Sequence, residues 1–96
     1  MRERTLVVKA RLGLHARAAA KLVRVATRFK CQLMLERLDG SASADAKSIL
    51  SVLMLAASQG TNLRAIADGP DEQEAITALE ELFSDSFGEA VPELKS

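Results

Sequence analysis

His15 is the only histidine in the chain, and its neighbours are what make it interesting. It stands between a turn at Gly13 and an alanine-rich stretch that begins at Ala16, with Arg17 two residues further on. A residue at a helix start sits beside backbone N–H groups that have no partner inside the helix, and those donors together with the helix dipole form an anion site. An imidazole is nucleophilic near neutral pH. Arg17 adds a permanent cation whose planar fork suits phosphate oxygens. Attack by His15 on a phosphoryl group, with charge held by Arg17 and by helix N–H groups such as that of Ala16, is therefore a coherent chemistry for this cluster. The bland alternatives are a solvated Arg17 and a structural His15, as in a non-catalytic α/β regulatory or interaction module.

Other candidate groups are fewer. Ser48 opens an apolar stretch and reads first as a helix N-cap. One cysteine, Cys31, reads as a buried strand residue, and one histidine with one cysteine gives no metal-site spacing. No glycine-rich nucleotide loop is visible, so neither a metal nor another cofactor is expected.

The elements that must position His15 follow from periodicity. Residues 5–10 form a strand with Leu6, Val8 and Ala10 on one face. Residues 16–28 form an amphipathic helix, with Ala19, Leu22, Val23 and Ala26 on one side and Lys21, Arg24 and Arg28 beside them. Residues 31–37 alternate as a second strand, and Asp39-Gly40 signals a two-residue hairpin into a short strand over 41–44. A second helix spans 47–58, with Gly60 as C-terminal punctuation. A fourth strand covers 61–67, and Gly69-Pro70 opens a third helix whose buried stripe is Ile76, Leu79, Leu82 and Phe83. The order β-α-β-β-α-β-α predicts an α+β two-layer open-faced sandwich, a largely antiparallel four-stranded sheet covered on one face by three helices. One domain over 1–87 is expected, followed by a flexible tail over 88–96.

The 13 basic and 13 acidic side chains cancel, but they are unevenly placed: residues 1–37 hold ten basic and two acidic groups, and residues 38–96 hold three and eleven. Zero net charge, no Trp and no Tyr argue against a nucleic-acid binder. No apolar run reaches the ~20 residues of a membrane helix and no signal-peptide core opens the chain, so a cytoplasmic protein without membrane insertion is expected. The basic excess clusters around His15, where it would steer the site toward acidic partners.

Gly13-Leu14-His15-Ala16-Arg17 resembles the active-site signature of the HPr family, the histidine phosphocarriers of the bacterial phosphoenolpyruvate-dependent phosphotransferase system. Ala46-Lys47-Ser48-Ile49-Leu50 resembles the family's serine-centred segment, and Ser58-Gln59-Gly60-Thr61 resembles the turn into its last strand. The similarity spans about residues 4 to 86, and the family's fold has the element order read above. The resemblance implies that His15 accepts a phosphoryl group on Nδ1 from phosphorylated enzyme I and passes it to an enzyme IIA domain or a regulatory acceptor, with Arg17 as phosphate partner. Such a monomeric carrier is a consumed and regenerated intermediate rather than an enzyme in the ordinary sense. It also implies a docking surface of Ala20, Arg24, Ile49, Leu50 and Leu53, with Val52 and Leu55 facing inward, and a regulatory phosphate on Ser48 where a dedicated serine kinase is present. Of the two readings of Ser48, the cap is favoured. One departure stands at Ala18, where the family usually has proline. The segments at Leu53 to Leu55 and 82–87 look like the nitrogen-related NPr branch, while Lys47-Ser48-Ile49 looks like sugar-transport HPr. The balance leans slightly to NPr and leaves the branch open.

Overall fold

A computed structural model describes residues 1–88; the tail expected over 88–96 lies outside them, Gly88 excepted. The elements run β1 (Arg2–Val7), α1 (Ala16–Ala26), β2 (Gln32–Arg37), β3 (Ser43–Asp45), α2 (Ile49–Met54), β4 (Asn62–Asp68) and α3 (Glu72–Ser84), closed by a turn at Ser86–Gly88. The strands form one sheet in the order β1-β4-β2-β3, and every neighbouring pair is antiparallel. This is the open-faced sandwich expected from the element order. No helix among the described residues is long and apolar enough to cross a membrane.

Alternation along the strands sorts the two faces. Leu6 opposes Leu63, and Leu35 lies between Ala65 and Ala44, all of them buried on the helix side. The outer face carries polar rows, including Arg64 between Glu3 (3.8 Å) and Glu36 (3.5 Å). α3 lies against β1 and β4, and α1 packs between α2 and α3. Ala18, Ala19, Leu22 and Ala26 of α1 join Val52 and Leu55 in one core.

Several boundaries differ from the periodicity reading. β1 starts at Arg2, because its charged residues are tied to neighbours the sequence does not place beside them: Arg4 reaches Glu80 of α3 at 2.8 Å, and the amino terminus reaches Glu72 at 3.1 Å. Val8 and Ala10 stay buried beyond its end, and Val8 still exchanges main-chain bonds with the 60–61 segment. The β2–β3 connection is longer than two residues, since the Arg37 N–H donates to Ala42 and Gly40 turns back onto Arg37. α2 is shorter than residues 47–58: Ser48 is already extended, and the Arg37 guanidinium takes the Leu55 (3.0 Å) and Ala56 (3.3 Å) carbonyls just past the helix end. The helix path then breaks at Ala56, where φ is +51°, rather than at Gly60. In α3 the buried stripe is Ala75, Ile76, Leu79 and Phe83, while Leu82 is only half-buried at the core margin.

Cys31 is buried, as read, just before β2. Burial pushes its thiol pKa up, and a hydrogen bond with the Asp71 carboxylate adds to the shift.

Candidate phosphoryl-transfer site

The loop that carries His15 is fastened on both sides. Gly13 turns back on Ala10, its N–H donating to the Ala10 carbonyl at 2.9 Å, and it adopts φ +67°. A Cβ there would stand 2.5 Å from the Ala57 oxygen and 2.8 Å from Ser58 Cα, so the glycine serves close backbone approach as well as the left-handed angle. Leu14 then donates its N–H to Ala57 O at 2.8 Å and buries its side chain.

His15 follows as the N-cap of α1, with φ −74° and ψ 179°. Its carbonyl accepts the Ala19 N–H at 2.8 Å, the first bond of the helix. Its Nδ1 accepts the main-chain N–H of Arg17 at 3.3 Å. The imidazole thus takes the capping role usually filled by a serine or aspartate oxygen, and it points Nδ1 at the positive helix end. An anionic group added at that nitrogen would take over donors that the helix start already presents.

Arg17 and Ala16 are exposed on the first turn, and Ala18 is buried at 3% exposure. His15, Arg17 and Ala18 line a cleft of about 600 Å³ together with Leu12 and the C-terminal turn Ser86–Gly88. The sequence reading placed no function beyond Ser84, so this wall was missed. Its one sequence signal is Phe83 and Phe87 at helical spacing, whose rings meet edge to face at 4.8 Å. Leu12, 69% exposed beside His15, was missed as well, because an isolated apolar residue in a turn shows no periodicity.

None of the residues expected to dock partners lines the cleft. Ile49, Leu50 and Leu53 of α2 are exposed while Val52 and Leu55 are buried, which matches the inward and outward split. Met54, 73% exposed, extends the same apolar surface. Ala20 is half-buried and Arg24 exposed on α1, the helix that packs beside α2. Large exposed apolar side chains grouped on one short helix are a common mark of interaction surfaces. Ser48 caps α2, its Oγ accepting the Ser51 N–H at 3.3 Å.

With this geometry, similarity to known proteins becomes informative. Residues 2–85 match the family model described as PTS HPr component phosphorylation site. The phosphocarrier protein HPr of Pseudomonas aeruginosa is 51% identical over 79 residues, which cover 82% of this chain and 87% of that protein. An HPr of Thermoanaerobacter tengcongensis is 41% identical with a TM-score of 0.88, covering 95% of this chain and all of the other. A dimeric HPr structure from the same organism is 42% identical with a TM-score of 0.72, covering 93% of this chain and all of the other.

Proposed function

The chain belongs to the HPr family of phosphocarriers of the phosphotransferase system, and on that premise we propose that its phosphoryl group rides on Nδ1 of His15, arriving from phospho-enzyme I and leaving to an enzyme IIA domain. The observation that carries this reading is the hydrogen bond from the Arg17 N–H to that same nitrogen. The atom that is to carry the anionic phosphoryl group already faces the helix dipole, so little has to reorganise when that group arrives. Attack by the Nδ1 lone pair forms the N–P bond as the bond to the enzyme I donor breaks. In the onward step the acceptor's nucleophile takes the phosphorus, and the electron pair returns to the imidazole. Arg17, exposed at the cleft, neutralises the phosphoryl oxygens in both directions.

Docking is assigned to Ile49, Leu50 and Leu53 with Ala20 and Arg24 beside them. The exposed aliphatic groups of a short helix next to the basic face of α1 support this, since they offer apolar contact and charge steering to one acidic-rimmed partner. Ser48 acts first as the α2 cap. A phosphate placed on it by a serine kinase would set about two negative charges at the edge of this apolar surface and oppose docking. In this reading the working unit is a monomer in the cytoplasm. The alanine at position 18 removes the backbone constraint of proline without disturbing the helix start, since α1 begins at Ala16 regardless.

Incubation with phosphoenolpyruvate and enzyme I tests the reading. The native protein acquires an acid-labile, base-stable adduct and His15→Ala does not. An unlabelled native protein, tried with several enzyme I homologues, would sink the proposal and favour the non-catalytic module.

A further inference from the structure

The C-terminal turn is built at a conformational cost. Ser86 and Phe87 both lie in the left-handed region, with φ +52° and +57°, and neither is glycine. Such backbone is strained for a residue that bears a Cβ and persists only when its surroundings hold it. Three contacts do so here. The Phe87 ring is buried against Phe83, the Gly88 N–H returns to the Asp85 carbonyl at 3.0 Å, and the Lys21 ammonium donates to the Phe87 carbonyl at 2.8 Å. The last contact reaches across 66 residues from α1.

Lys21 lies one helical turn beyond Arg17 on the same side of α1. The turn it holds is the wall of the cleft that faces His15 and Arg17. Gly88 completes the fit: a Cβ there would sit 2.7 Å from Lys21 Nζ, so the turn lies directly on the ammonium. This strained backbone, anchored by a long side chain from the helix that His15 caps, is held in place rather than frayed.

We infer that Lys21 is a positioning residue for the phosphohistidine: by clasping the Phe87 carbonyl it keeps the Ser86–Gly88 turn against the cleft, where the turn limits water's approach to the phosphorus. This rests on His15 being the phosphorylated residue. The competing reaction is hydrolysis. A water oxygen bonds to phosphorus, the P–N bond breaks, its electron pair returns to the imidazole, and inorganic phosphate leaves. A carrier has to suppress that step while remaining open to a protein acceptor, and a wall on one side of the cleft does both.

The test phosphorylates the native chain, Lys21→Met and Lys21→Arg with phosphoenolpyruvate and enzyme I, removes the donor, and follows the phosphohistidine by phosphorus NMR. Lys21→Met shortens its lifetime about fivefold, and Lys21→Arg, which can still donate to the carbonyl, restores most of it. Gly88→Ala disturbs the same clasp while keeping the charge of Lys21, and shortens the lifetime likewise. It carries the test alone if Lys21→Met does not fold. Unchanged lifetimes in folded, labelled variants overturn the inference. A native protein that never labels overturns the assignment of His15 instead.

Discussion

The main-chain N–H of Leu14 donates to the carbonyl of Ala57 at 2.8 Å, which fastens the residue before His15 to the segment just past α2. Ala57 follows Leu55 and Ala56, whose carbonyls are held by the Arg37 side chain. Three stretches distant in sequence therefore share one joint: the phosphorylation loop, the end of α2 and the end of β2. The backbone that sets the position of His15 is therefore tied to the end of the helix whose exposed aliphatic groups are proposed to dock partners.

Gly13→Ala strikes that joint directly. The added Cβ meets backbone atoms at 2.5 and 2.8 Å at a φ of +67°, so stability falls by about 3 kcal/mol. Gly40→Ala, with φ +78° and nothing within 4 Å, bears only the left-handed cost and loses about 1 kcal/mol. Urea unfolding of the pair separates the two terms, and equal losses would show that crowding at Gly13 relaxes freely.

Arg37→Met keeps the aliphatic stem and removes the donors to Leu55 and Ala56. Hydrogen bonds from a charged group are worth about 1.5–3 kcal/mol, and partial exposure of the guanidinium lowers the expected loss to about 1–2 kcal/mol. The melting temperature should fall accordingly, with faster amide exchange concentrated at residues 55–57 and at Leu14. Protection lost uniformly over the whole domain would argue against a local joint.

Arg24 is exposed and makes no contribution to the core, so Arg24→Glu leaves stability within about 0.5 kcal/mol of the native value. Association with enzyme I slows by about tenfold at low ionic strength, and the gap narrows as salt is added. Stopped-flow rates at several salt concentrations read this directly. A deficit insensitive to salt would mean a specific contact rather than steering.

Asp71 gives the fold an acid-sensitive clasp. Its carboxylate accepts the N–H of Lys30 at 2.8 Å and of Cys31 at 2.9 Å, and these bonds, the Lys30 one foremost, hold its pKa below the ordinary carboxylate value. Glu72 is shifted the same way, first by the Gly69 N–H and then by the amino terminus. A depressed folded-state pKa stabilises above the unfolded value and loses that contribution as pH falls through the folded one. The melting temperature of the native protein therefore drops from about pH 5 toward pH 2, and Asp71→Asn starts lower at neutral pH with a shallower acid limb. Parallel limbs for the two proteins would remove Asp71 from the account.

Much of this molecule was written in local pattern. Alternation located β1, β2 and β4, the Asp39-Gly40 turn signal located β3, and helical stretches with their start and stop residues located α1, α2 and α3. Leu6, Leu33, Leu35 and Leu63 faced the core as their alternation required, and the position of His15 before an alanine-rich run was enough to make it a helix cap. Those features depend on neighbours a few residues away, which a sequence displays. The tertiary structure alone decided where α2 ends, because that depends on Arg37 reaching carbonyls 18 and 19 residues away. It alone revealed that β1 begins in a charged stretch, since the partners of Arg4 and the amino terminus lie on α3. The far wall of the His15 cleft is the sharpest case. Ser86 and Phe87 carry none of the glycine that marks a left-handed turn, and the groups that hold them there, Phe83 and a lysine on α1, act only once the chain has folded.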